Sequence, residues 1–289
     1  MAKRFISGLI IAIIIAAAAT GYGLFKYRNA IRWQRQNAKA PEQQLTIIEG
    51  WTNAQIAGAV ADKGLMAAND FLAAEKNFDS TSYPLLNSKP KDADLEGFLF
   101  PDTYRVAKYA AESTITIADA VIKKMLDNFS AKFTPQMAAE ARSRGYNVFQ
   151  IVTLASIVEK ETGRNAVTDA EKASLLSERK IVAGIFYNRL AAGMPLQSDA
   201  TVNYVTGKNA PQASLNDIAT DSPYNTYKYA GLPPGPICNP SLSSLEAALE
   251  PTQTDYLYFL TRPDTGQAVY AKTYQEHLAN KRKYLGSNP

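Results

Sequence analysis

The 289 residues (31.5 kDa) are 46% hydrophobic and 20% charged, which excludes a disordered or fibrous chain. A net charge of +4, with no Lys/Arg stripe interleaved with aromatics, excludes nucleic acid as an expected partner. One histidine (His277) and one cysteine (Cys238) exclude an internal disulfide and a Cys/His zinc site, leaving carboxylates and tyrosines as the expected chemical groups.

Along the chain, residues 1–4 are short and basic, and residues 5–25 carry no charge. Twenty-one residues at about 1.5 Å each give roughly 31 Å of helix, the thickness of a bilayer core. The segment reads as a retained anchor or, through its Ala16–Ala19 run, as a cleaved signal. Basic residues flank both sides of the span, and more follow it than precede it, so charge alone keeps the remainder in the cytoplasm. Residues 26–44 form a polar, basic tether.

A small unit follows. Residues 45–48 predict a strand, Glu49-Gly50 a turn, and Thr52 caps a helix running to Lys63. A second helix is expected over 68–77, and 88–94 has the composition of a linker. Further helices are expected over 115–129, from Thr134-Pro135 to Ser143, over 147–162 and over 171–192. Residues 193–240 turn to Gly, Pro, Asn, Ser and Tyr without strong periodicity, the texture of a functional surface. Residues 256–260 and 268–271 predict a hairpin across Pro263–Gly266, and a last helix over 273–285 carries His277. His277 reads as a packing or hydrogen-bonding side chain, and Cys238 as a small buried hydrophobe.

The chemistry is expected at the end of the 147–162 helix. That helix is apolar around most of its circumference and delivers Glu159 and Glu161 at its C-terminus. At about 100° per residue Glu161 lies near Leu154, Ile157 and Val158, and Glu159 beside Val152 and Ala155. Apolar neighbours and the negative helix end both disfavour a carboxylate, so such a group can stay protonated near neutrality and donate to a glycosidic oxygen. The plainer alternative is a buried helix emerging into solvent at Glu-Lys-Glu. The Tyr/Pro/Asn-rich segments around 197–201, 222–227 and 231–237 suit a preformed sugar groove, or ordinary loop packing.

Five segments carry a resemblance: LEGFLFPDTY (95–104), LASIVEKET (154–162), FYNRL (186–190) with GMPLQSD (193–199), YNTY (224–227) and GLPPGPI (231–237). Together, in this order, they resemble the endolytic murein transglycosylases of the MltG (YceG-like) family, over about residues 45–285. The resemblance implies an α+β chain: a cytoplasmic N-terminus (1–4), a transmembrane helix (5–25), a tether (26–44), a LysM-like αβ subdomain with linker (45–94) and a mainly helical, lysozyme-like catalytic domain with a short β element (95–289). It implies Glu161 as the catalytic acid, with Glu159 as the fallback. It implies a glycan groove lined by Glu96, Asn188, Gln197, Ser198, Asp199, Tyr224, Asn225, Thr226 and Tyr227. No cofactor or metal is implied. Peptidoglycan strands and the membrane are the implied partners, with peptidoglycan synthases or division proteins besides. The domain is expected outside the cytoplasmic membrane, against the charge count. A hydrolytic muramidase using Asp199, and a non-enzymatic wall-binding scaffold, are the rival readings. The chain departs from the family pattern at Ala200, where a proline is usual, and in a shortened LysM-like unit.

Overall fold

The computed structural model describes residues 20–29, 42–107, 114–164, 166–208, 210 and 212–286. The described residues divide into two units: 20–29 with 42, 43 and 107 fall in one, and 44–106 with those from 114 to 286 in the other. In the first, residues 20–29 (α1) are helical and exposed. Most of the expected anchor and tether lies outside the described residues, and among those described no helix is long and apolar enough to cross a membrane.

The second unit opens with residues 44–46 of β1 (Glu42–Thr46), which pair with residues 103–106 of β2 (Thr103–Ala107). The expected strand at 45–48 is thus shifted towards the N-terminus. Its partner went unread because pairing with a segment nearly sixty residues away leaves no local signal. Helix α2 (Asn53–Asp62) starts where Thr52 and Gln55 cap each other's backbone N–H groups, and it buries Ile56, Ala57 and Val60. Helix α3 (Ala68–Lys76) packs on α2 and on α4 (Thr114–Lys132). The linker-like 88–94 stretch is tied down rather than free: Ser88 Oγ accepts from the Phe149 N–H at 3.1 Å, and Asp94 Oδ1 from the Glu96 N–H at 3.0 Å.

Helix α5 (Pro135–Ser143) is capped by Thr134 with Pro135 in its first turn, as the sequence predicts. Helix α6 (Val148–Thr162) is the axis of the fold, contacting α5, α7 (Asp169–Ala191), α8 (Asp199–Thr206) and α10 (Leu242–Leu249). That crowding explains why its apolar residues run all the way round. An aromatic cluster closes one end of the core. The Phe98 ring meets Phe129 edge-on at 5.1 Å and stacks on Phe149 at 6.2 Å. Gly97 (φ +91°) makes the seam possible, because a Cβ there would sit 2.6 Å from both Pro236 Cγ and Val152 Cγ1. Three separate sequence segments therefore meet at a point where only hydrogen fits.

The 193–240 stretch, expected as loop, contains α8 and the short α9 (Leu215–Ile218). Helix α8 is rich in weak helix formers such as Thr, Val and Asn and α9 is a single turn, so tertiary contacts rather than local periodicity specify them. Strands β3 (Tyr258–Thr261) and β4 (Ala268–Ala271) form the expected antiparallel hairpin, with Tyr258 opposite Ala271 and Leu260 opposite Val269. Helix α11 (Tyr274–Leu285) lies on both strands and buries none of its residues fully.

Candidate active site

Helix α6 begins at a reciprocal Asn147/Gln150 cap and ends at Gly163, so the two acids of its last turn are set by a well-defined rod. They point into different environments. Glu159 is buried, and both of its oxygens are engaged. Arg179 Nη2 donates to Oε1 at 2.7 Å. The Ser241 N–H (3.0 Å), Ser241 Oγ (2.5 Å) and Ser244 Oγ (2.8 Å) donate to Oε2. Such a carboxylate is an acceptor in a closed network, with both oxygens already used on the protein itself.

Glu161 is half-buried and lines a cleft of about 1830 Å³. Ser198 Oγ donates to its Oε1 at 2.5 Å. The Ala200 N–H, in the first turn of α8, stands near its carboxyl group. Burial pushes the carboxyl up to about 7 from an ordinary 4.5; the Ser198 bond, Arg189 and the Ala200 N–H pull it down, while the Asp199 charge pushes it up. At neutral pH the group is poised between donor and acceptor forms.

Around it the 197–199 segment is held from below. The Gln197 N–H donates to the Thr226 carbonyl at 3.0 Å, and the Ser198 N–H to Thr226 Oγ1 at 3.1 Å. Thr226 and Thr201 hydroxyls bond at 2.8 Å. Gln197 has φ +52°, a left-handed conformation that side chains rarely adopt, and the Thr226 contact keeps it there. Tyr227 Oη donates to Asp199 Oδ1 at 2.8 Å, so the acid whose charge acts on Glu161 is itself partnered.

Of the residues singled out in the sequence, the structure gathers Glu96, Glu159, Glu161, Gln197, Ser198, Asp199 and Tyr227 on one cleft. Glu96 is buried there, accepting from the Asn53 N–H (3.1 Å) and Asn239 Nδ2 (3.1 Å), and burial drives its carboxyl well above the usual range. Thr226 is buried beneath the cleft rather than on it. Asn225 is also buried, spending its amide on the Ile218 and Thr220 carbonyls at 2.8 Å each. The Tyr224 ring packs on Tyr204, with centroids 5.1 Å apart. Asn188 is not brought to the cleft. Its amide pins the carbonyls of Thr254 (2.7 Å) and Tyr256 (2.9 Å) beside a separate, smaller hollow. Asn188, Tyr224, Asn225 and Thr226 thus shape the site's surroundings instead of facing its space.

The YceG-like family profile matches residues 23–283. The chain belongs to the YceG-like family. It is 37% identical over 254 residues to the endolytic murein transglycosylase of Bacillus subtilis (strain 168), covering 84% of this chain and 66% of that protein. It is 36% identical over 264 residues to the protein of the same name from Streptococcus pneumoniae serotype 2 (strain D39), covering 84% of this chain and 45% of that one. The chain thus spans less than two thirds of each of these relatives. A crystal structure of a yceG-like protein from Listeria monocytogenes superposes with a TM-score of 0.68 at 37% identity, over 88% of this chain and 81% of that one.

In this YceG-like chain the buried connectors were not legible beforehand. Asn239 accepts from the Leu99 N–H at 2.8 Å, while its Nδ2 lies 3.0 Å from the Trp51 carbonyl, 2.9 Å from Asn53 Oδ1 and 3.1 Å from Glu96. It ties the chain just past the 231–237 segment to the start of α2 and to the 95–104 segment at one amide. Arg189, inside the FYNRL segment, bonds the carbonyls of Leu257 (2.7 Å) and Leu196 (2.7 Å) and lies 5.2 Å from the Tyr258 ring centre. It fixes the cleft wall while keeping a positive charge near Glu161. A buried Arg within an apolar helix face was the available signal, since burial without a partner is costly.

Proposed function

We propose that this chain is a membrane-anchored endolytic lytic transglycosylase, cutting the MurNAc-β-1,4-GlcNAc bond of peptidoglycan and leaving 1,6-anhydroMurNAc ends. The observation that carries the reading is Glu161, the cleft carboxyl that burial pushes up to about 7 and that no cation pairs directly among the described residues. Two curated relatives named endolytic murein transglycosylase, each at least 36% identical, support the substrate class.

Glu161, protonated, donates its proton to the bridging oxygen as the anomeric C–O bond breaks. The substrate's own acetamido oxygen stabilises the positive charge at the anomeric carbon. The Glu161 carboxylate then takes the proton of the MurNAc C6 hydroxyl, whose oxygen closes on the anomeric carbon of the same sugar. Glu161 ends as it began, and no water is consumed. One acid suffices, in contrast to the pair that hydrolytic glycosidases use. Ser198 stabilises the carboxylate stage through its hydrogen bond, and the nearby Ala200 N–H favours the same stage. The held 197–199 segment fixes the acid's orientation.

The uncharged residues 5–25 support a single-pass anchor in the cytoplasmic membrane, and the substrate's location puts the rest outside it. Residues 45–94 are read as a shortened LysM-like unit docked on the catalytic part. Peptidoglycan synthases or division proteins are the expected protein partners.

The test is mass analysis of uncrosslinked glycan digested by the purified chain. Fragments lighter by one water than the hydrolysis product are expected, and none with Glu161→Gln. Fragments carrying the added water would instead favour the muramidase reading, with Asp199 as the second acid of the same cleft. Uncut glycan beside an unchanged cell phenotype for Glu161→Gln would favour the scaffold.

A further inference from the structure

The cleft has a second wall that the acid's chemistry leaves unused. Helix α11 contributes Tyr274, His277 and Lys281 to it, and the hairpin contributes Tyr258. The His277 and Tyr258 rings stack with centroids 5.4 Å apart, and the Tyr258 and Tyr274 rings lie 5.9 Å apart. Tyr274 is 55% exposed, an aromatic face standing open in a concave site. Arg189, which exerts a field on both Glu161 and His277, links this plate to the acid.

Charge sets the plate apart from an ordinary sugar platform. The other cations of the cleft are engaged. Lys208 pairs with Asp217 at 2.6 Å, Arg189 bonds backbone carbonyls, and Lys160 reaches the Gly50 carbonyl at 3.5 Å. Lys281, one helical turn beyond His277, is exposed and meets no carboxylate among the described residues. His277 Nδ1 is buried without a hydrogen-bond partner among the described residues. A neutral sugar needs aromatic faces and hydroxyl partners but has no use for a free ammonium. A diphosphate asks for an arginine fork or several backbone donors, which this wall lacks.

We propose that the Tyr258–Tyr274–His277–Lys281 wall is a subsite for the carboxylate-bearing peptide carried by the muramic acid lactyl group, so that the cleft reads peptide-substituted strands in preference to bare glycan. The inference rests on the transglycosylase reading and names a part of the substrate that reading leaves open. The rings cover the apolar stems of the peptide, and Lys281 meets its carboxylate.

The experiment compares the full chain in detergent micelles acting on peptide-bearing strands and on the same strands stripped of peptide by an amidase. Wild type, Lys281→Glu, Lys281→Arg and Tyr274→Ala are assayed for kcat and KM. Reversing the charge is expected to lower kcat/KM on peptide-bearing strands about tenfold through KM, the size of one charge-assisted contact. The same change leaves stripped strands unaffected, and Lys281→Arg keeps wild-type behaviour. Equal effects on both substrates, or no effect on either, overturn the subsite while the enzyme reading survives. Failure of wild type to cut either substrate sinks the enzyme reading and this inference with it.

Discussion

Glu159 and Glu161 stand two residues apart on one helix, share its C-terminal turn, and have opposite fates. Glu159 is saturated, with Arg179 on one oxygen and the serines of the α10 cap on the other. Glu161 is left with one hydroxyl and the open cleft. The same residue type becomes a structural anchor where counter-charge and donors converge, and a carboxyl poised near neutrality where desolvation outweighs them.

The widest separation of the two acids comes from neutralising each in turn. Glu161→Gln should lower glycan cleavage by about a thousandfold or more, the scale of a lost general acid. The protein should stay folded. A raised carboxyl binds more protons folded than unfolded between about pH 4.5 and about 7, so its contribution falls as pH rises through that window. Glu161→Gln should therefore match wild type in urea midpoint near pH 4.5 and exceed it at pH 8. An equal midpoint at both would contradict the burial argument.

Glu159→Gln should act on the fold first. It leaves the Arg179 guanidinium buried without its counter-ion, at a cost of about 3–5 kcal/mol read by urea unfolding. Replacing Glu159 and Arg179 together by Leu and Met should recover much of that loss. A Glu159→Gln protein of native stability would break the contrast. Gly97→Ala tests the seam behind both acids, with about 3 kcal/mol lost from overpacking and a left-handed backbone that alanine resists.

The smallest effects sharpen the comparison most. Asp199→Asn removes a like charge that pushes Glu161 up, so the alkaline fall of kcat/KM should move to lower pH. Ser198→Ala removes a donor that pulls it down, so the same limb should move to higher pH. Shifts of the same sign would show that the limb belongs to another group.

Helices with self-contained ends were legible in the sequence: the Asn147/Gln150 and Thr52/Gln55 pairs satisfy backbone N–H groups locally, while the helix expected from 171 starts at Asp169 behind a Thr168/Glu171 pair that went unread. The β3–β4 hairpin was legible for the same reason, its Arg262–Gln267 closure being local. Strand β2, α8 and α10 were missed because distant partners stabilise them. At the site, Glu159 and Glu161 both stood out by their place at the end of an apolar helix, and the family resemblance chose Glu161. Asn188 and Asn225 drew attention as polar residues in family segments. Their amides are used on backbone carbonyls, a role that type and spacing do not distinguish from ligand binding.

The most direct measurement is a ¹³C NMR titration of the glutamate side-chain carboxyls in the intact protein, with Glu161 assigned by its absence from the Glu161→Gln spectrum. The structure predicts a midpoint near pH 7 for that resonance. A midpoint at the ordinary 4.5 would show a carboxylate that is already ionised when the glycosidic oxygen needs its proton.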